Sequence, residues 1–176
     1  MDEFMPSKRI LDEICEDGNP IVRYTRFPPN EDLDKLVTGF CSFANGILYG
    51  IAEHFKWGLD IKGEMNTQKV ASVFEAWSNA FAHGSRNKNS VDFGLFLGEK
   101  GVCYGFRDYG DYFKSEEVKQ IYETKTQIET FGDGLKELSG FNIGVSWMYD
   151  DADIIEVDTN LGVLYLVQYK SSLAKE

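Results

Sequence analysis

The sequence predicts an α+β protein: a two-layer sandwich in which a mixed, mainly antiparallel sheet carries helices on one face. Apolar residues recur at helical spacing through the first half of the chain, strict alternation replaces that spacing after Val91, and glycine-containing turns separate the alternating runs. Helices first and antiparallel strands second describe a sheet with its helices gathered on one side.

Residues 7 to 16 predict a short helix with Ile10, Leu11 and Ile14 on one side, ended by Asp17-Gly18-Asn19-Pro20 and read as an appendage. Ile21 to Phe27, rich in β-branched and aromatic residues and stopped by Pro28-Pro29, predicts a strand. A long helix starts near Asn30 and carries Leu36, Val37, Phe40, Phe43, Ile47, Leu48, Ile51 and Phe55 at helical spacing. Gly39, Gly46 and Gly50 each weaken it by about 1 kcal/mol relative to alanine, which packing against a sheet would offset. Asn66 or Thr67 caps a second helix running to about His83 and ended by Gly84.

Val91, Phe93, Leu95 and Leu97 alternate, as do Val102, Tyr104 and Phe106, with a turn over Gly98 to Gly101, so the two runs form a hairpin. Residues 111 to 131 are polar and partly helical, in the manner of a lid. A short helix near Leu135 to Leu138 follows, then strands near Gly144 to Met148, Ile154 to Asp158 and Val163 to Lys170, the last two joined at Asn160-Leu161-Gly162. The division is an amino-terminal appendage over 1–20, one domain over 21–170 and a tail over 171–176.

The 176 residues suffice for one core. With 18 Lys and Arg against 29 Asp and Glu, the net charge of −11 argues against nucleic acid as a partner, since backbone phosphates need a concentrated basic face. Screening still lets a small pocket accept an anion, above all one accompanied by a divalent cation. Cys15, Cys41 and Cys103 form no Cys-x-x-Cys pair, so neither a disulfide framework nor a zinc site is indicated. No apolar run reaches the ~18 residues that span a membrane, and Met1-Asp2-Glu3 lacks a signal pattern; the expectation is a cytoplasmic protein without a membrane partner.

Three constellations could carry chemistry. On the helix from Asn66 to His83, Val70, Val73, Phe74, Trp77 and Phe81 form an apolar stripe, while Glu75, Asn79 and His83 recur every fourth residue opposite it. That line could present a carboxylate and an amide oxygen to one ligand, or it is a solvated helix face. Asp108 ends a strand on the same face as Val102, Tyr104 and Phe106, where it either reads a base amino group or forms an ordinary Asp-Tyr-Gly turn with Gly110. Gly132-Asp133-Gly134-Leu135 precedes a short helix, as a phosphate-approaching loop or simply as a loop.

Taken in order, Glu75-Ala-Trp-Ser-Asn79-Ala-Phe-Ala-His83-Gly84, then Asp108-x-Gly110, then Gly132-x-Gly134-Leu135, the sequence resembles the histidine-kinase-like (Bergerat, or GHKL) ATPase superfamily. Within it the chain is most similar to the stand-alone serine kinases that act as anti-sigma factors. The likeness covers about residues 21 to 170, and the run from Glu75 to Gly84 resembles their N-box. The resemblance implies ATP and Mg2+ as cofactors, with Asn79 as the magnesium ligand and Glu75 as the catalytic general base. It further implies that Asp108 reads adenine, that Gly110 gives the base room, and that His83, Gly132, Gly134 and Leu135 line the nucleotide. Tyr112 stands where the family usually has a second glycine, and Asp133 places a negative charge inside the phosphate loop.

Two functions follow as expectations. One is transfer of the ATP γ-phosphate to a serine or threonine of a protein partner, such as a sigma factor or an anti-anti-sigma-like substrate. The other is a catalytically inactive module whose protein binding responds to nucleotide. Lys114, Lys119 and Lys125 are candidate phosphate partners in the lid, a homodimer is compatible with the chain's size, and His54 is expected to be structural.

Overall fold

The computed structural model describes residues 4–29, 33–57, 71–85, 88–123 and 148–174. Chain order runs α1 (Lys8–Ile14), β1 (Ile21–Phe27), α2 (Leu33–His54), α3 (Ala71–Asn79) with a π turn (Ala80–Ser85), β2 (Val91–Leu97) and β3 (Gly101–Asp108). It continues with α4 (Glu116–Glu123), β4 (Ile154–Asp158), β5 (Val163–Tyr169) and α5 (Lys170–Leu173). The strands form a five-stranded sheet in the order β1-β2-β3-β5-β4.

Every pairing among these strands is antiparallel, so the sheet shows no mixed component among the described residues. The strand expected over Gly144 to Met148 is also corrected at its described end. Met148 instead opens a helical turn over 148–151, closed by the Ala152 N–H to Met148 carbonyl bond of 2.8 Å. That turn lets Met148 reach the core while the Tyr149 hydroxyl donates to the Ile121 carbonyl on α4. Residues 141–147 lie outside the described residues.

Alternation places Val91, Phe93, Leu95 and Leu97 of β2, with Val102, Tyr104 and Phe106 of β3, on one sheet face. They pack there with Ile47 and Ile51 of α2, Val73, Ala76 and Trp77 of α3, and Val118 and Tyr122 of α4. Helix α2 is continuous despite its glycines, because it buries Ile47, Ile51 and Ala52 and half-buries Phe43 and Leu48. The side chains of Leu36, Val37 and Phe40 lie outside the described ones. His54 is structural: its Nε2 lies 2.9 Å from the Gly98 carbonyl and ties the end of α2 to the β2–β3 turn. No helix among the described residues is long and apolar enough to cross a membrane.

The other sheet face is covered too, which the sequence reading did not expect. Phe4, Ile10, Ile14 and Cys15 bury against Phe96, Cys103, Tyr165 and Val167. Tyr24, Gly94, Gly105 and Tyr165 stand opposite one another across four strands, so two residues without side chains lie between two tyrosine walls. The Phe4 ring fills that slot, and a Cβ on Gly105 would come within 2.6 Å of it. The Tyr24 hydroxyl donates to the Phe4 carbonyl and the Tyr165 hydroxyl to the Met5 carbonyl at 2.9 Å. At the far end of the segment, the Lys100 N–H bonds the Ile14 carbonyl at 2.9 Å.

Burial on both faces explains why all seven residues of β2 are inaccessible. It also makes the amino-terminal segment part of the packed structure. Phe4→Ala is therefore expected to lower the unfolding free energy by about 3 to 5 kcal/mol, as for other fully buried aromatic residues. Urea denaturation followed by tryptophan fluorescence checks this; a loss under about 0.5 kcal/mol, the surface-substitution range, would mean the segment is only appended.

Candidate functional site

Helix α3 buries Val73, Ala76 and Trp77 and half-buries Phe74, as its apolar stripe requires; Val70 lies outside the described residues. It does not end in a left-handed cap at Gly84. It widens instead into the π turn, where the Ser85 hydroxyl donates to the Phe81 carbonyl at 3.0 Å. A π turn adds a residue to the helical repeat, so Glu75, Asn79 and His83 do not form one straight line. Glu75 is half-buried, Asn79 is 7% exposed and His83 remains exposed at the rim. The solvated-face alternative therefore does not describe Asn79.

The reason for Gly84 is a close approach. A Cβ there would lie 2.4 Å from Asp108 Cβ and 2.5 Å from its Oδ2. A Cβ on Gly110 would lie 1.9 Å from the Gly84 carbonyl oxygen. The end of the N-box-like run and the Asp-x-Gly motif, distant in sequence, are thus in backbone contact.

Asp108 is 1% exposed and sits on the helical face, as alternation predicts. Its Oδ1 accepts from the Gly110 N–H at 2.8 Å and its Oδ2 from the Phe113 N–H at 3.1 Å. Burial pushes its carboxyl above the ordinary carboxylate range, and these two N–H donors partly oppose that. Both carboxylate oxygens thus organise the loop that follows, which is the turn-forming alternative from the sequence. Residue 109 points to the opposite face. There the Tyr109 hydroxyl donates to Asp92 Oδ2 at 2.5 Å, and Arg26 grips the same carboxylate at 2.7 and 2.9 Å. Burial favours a protonated Asp92, but Arg26 and Tyr109 outweigh it and hold the carboxyl below its ordinary value.

The loop over 109–115 delivers two aromatic residues to the site. Phe113 is fully buried, while Tyr112 stacks on His83 with ring centroids 5.4 Å apart and planes inclined by 29°. Helix α4 starts at Ser115, whose hydroxyl accepts from the Val118 N–H at 3.4 Å, and carries Glu116 and Glu117 in the first turn, where the helix dipole favours them. It thereby sets Tyr122 over α3. The Asn79 Nδ2 donates to the Tyr122 hydroxyl at 3.0 Å, and the Tyr122 and Tyr112 hydroxyls interact directly. Partial desolvation at the rim, where Tyr112 lies against one side of the ring, lowers the affinity of His83 for a proton and favours the neutral form.

Beside this aromatic group lies a cleft of about 520 Å³, lined among others by His83, Ser85, Lys88, Asn89, Gly110 and Ser115. Ser85, Lys88, Asn89 and Tyr122 were not singled out from the sequence; no local pattern distinguishes them from ordinary polar or core residues. Of the candidate lid lysines, Lys114 lies 3.9 Å from Asp111 and Lys119 borders a separate groove near Glu156. Lys125, Gly132, Asp133, Gly134 and Leu135 lie outside the described residues.

Chemically, Glu75 and Asn79 present a carboxylate and an amide one helical turn apart. The amide oxygen is a hard donor that suits magnesium beside phosphate and water, and the carboxylate one turn away is a proton acceptor. Among the described residues no cluster of three or more His, Cys, Asp or Glu is assembled to hold a metal by itself. No model of a known protein family matches the sequence, and a search of the curated proteins finds no match.

The close approach predicts opposite effects from one chemical change. A Cβ on Gly46, exposed on α2, meets no atom within 4 Å, so Gly46→Ala should stabilise by up to about 1 kcal/mol through helix propensity. Gly84→Ala should destabilise by about 1 to 3 kcal/mol or more, because the Asp108 side chain it meets is already fixed. Paired denaturant titrations measure both signs.

A second expectation concerns pH. Burial raises the Glu75 carboxyl above its ordinary value, so the folded chain binds this proton more tightly than the unfolded chain. The resulting cost is absent below the unfolded value, grows as pH rises through the folded one and is complete above it. Glu75→Gln should raise the melting temperature at pH 7, with the gain vanishing below about pH 4. An equal gain at both pH values would place the carboxyl in water.

Proposed function

We propose that this chain is a histidine-kinase-like ATP- and magnesium-binding regulatory domain, acting as a nucleotide-responsive protein-binding module. The reading rests on the resemblance of its three motifs and is supported by one observation above all. Gly84, Asp108 and Gly110, from two motifs separated by a strand hairpin, meet in close contact beside His83 and a polar cleft. The order strand, long helix, N-box-like helix, hairpin, lid helix and final hairpin follows the same resemblance. In this reading the carboxylate of Asp108 shapes the base end of the site, Asn79 holds magnesium and Lys88 faces the phosphates. The cytoplasm is the compartment that fits an ATP-dependent regulator.

A module without turnover is favoured over a kinase because the Tyr112 ring lies against His83 at the mouth of the cleft and both Asp108 oxygens already accept loop N–H groups. Nucleotide must rearrange this closure, and such a rearrangement is what a partner protein can read. Phosphate transfer to a sigma-factor-like or anti-anti-sigma-like partner is the second reading. Its support is the half-buried Glu75 carboxyl, which burial makes a better proton acceptor than an ordinary glutamate.

Magnesium-ATP near 100 times its dissociation constant should stabilise the chain by about 2.7 kcal/mol, or about 5 to 10 °C at this size. Asn79→Ala should abolish the magnesium dependence of that shift. Absence of a shift at millimolar ATP, in the wild type and in variants that open the site, rejects the nucleotide reading. ADP production or phosphate transfer that is lost in Glu75→Ala while ATP binding survives replaces the module by the kinase.

A further inference from the structure

The family pattern calls for a glycine where this chain has Tyr112, and the structure gives that tyrosine a specific place. We propose that Tyr112 is a gate residue: its ring occupies the position against His83 that a purine base would take, and Tyr122 and Asn79 hold it there. This inference rests on the nucleotide reading above and adds the means by which the site is closed and selects its ligand.

Tyr112 and His83 stack with centroids 5.4 Å apart and an inclination of 29°, an arrangement a base could reproduce. Behind Tyr112 stand Phe113 at 5.1 Å and, beyond it, Tyr122 at 5.8 Å from Phe113, so the ring closes an aromatic wall. Tyr112 itself is only half-buried and borders the cleft together with His83, Gly84, Ser85 and Gly110. Its neighbour Phe113 is fully buried, with its N–H bound to Asp108. The loop is therefore anchored one residue beyond the gate, so opening requires the Tyr112 side chain to leave His83 and the core it packs against while the sheet and Phe113 stay in place.

The same closure reaches the metal end of the site. The Tyr112 hydroxyl interacts with that of Tyr122, which in turn accepts from Asn79 Nδ2 at 3.0 Å. Displacing Tyr112 removes one of the partners of Tyr122, and with it one tie between the loop and α4. A ligand with phosphates but no base gains nothing from the stack. The ligand class that opens the gate is a purine nucleoside triphosphate with magnesium; inorganic triphosphate does not open it.

The test combines calorimetry with NMR of the two histidine rings on the full chain. In Tyr112→Gly the His83 ring protons should lose the shift imposed by the tyrosine ring, while those of His54 stay in place. Magnesium-ATP should bind about tenfold more tightly than to wild type, as expected if the open state is populated to about one part in ten. Inorganic triphosphate should bind both proteins alike. Tyr122→Phe, which removes one hydroxyl and keeps the ring, should tighten ATP severalfold and carries the test if Tyr112→Gly does not fold. Unchanged or weaker ATP binding together with the expected His83 shift overturns the gate and leaves the nucleotide reading standing. Absence of ATP binding in wild type and both variants, with the same His83 shift, overturns the nucleotide reading and the gate with it.

Discussion

The backbone of Gly84 rests directly on the Asp108 carboxylate, and the architecture around the site depends on that contact. A helix can come this close to a strand end only where it carries no Cβ, which fixes glycine at position 84. Its approach shuts water away from Asp108, and a carboxylate so buried needs donors. Gly110 and Phe113 supply them, and in doing so they dictate the path of the loop. The position of Tyr112 is thus a consequence of satisfying one buried carboxylate.

The opposite face of the sheet reinforces this constraint. The Arg26 and Arg107 guanidinium groups lie over the Tyr109 ring at 5.4 and 5.3 Å, and its hydroxyl donates to a carboxylate that Arg26 already pairs. Successive residues therefore pin the end of β3 from both sides: Asp108 from the helical layer and Tyr109 from the outer one. Helix α1 and Phe4 cover that face farther along the same strands, whereas at this end the Arg26 side chain stays partly exposed and the ion pair itself does the holding.

The parts of this structure that were legible in the sequence are those governed by local periodicity. Alternation identified β2 and β3 and placed Asp108 on the helical face, and helical spacing identified α2 and α3. Periodicity reports which residues share a face, but it is silent on what covers that face. For this reason Ile10 and Ile14 read as an isolated amphipathic turn, although their partners are Phe96 and Cys103 far along the chain. Gly84 read as a helix stop because a glycine after a helical run commonly is one. Its contact with Asp108 is tertiary and leaves no local mark. Of the candidate site, Asn79, Asp108 and Gly110 were legible through their motif, whereas Tyr122 became visible only once α4 was laid over α3.

A site closed by its own side chains exchanges affinity for responsiveness. Apparent affinity falls in proportion to the fraction of open molecules, so each tenfold of closure costs about 1.4 kcal/mol of binding free energy. The same closure defines a second conformation whose population a ligand can change, which a permanently open pocket lacks. For a catalyst this is a loss, because binding energy spent on opening is not available to the transition state. For a protein whose task is to report nucleotide to a partner, the opening is the signal. The proposed gate fits the second role better than the first, since a base must displace Tyr112 from His83 before it can stack there.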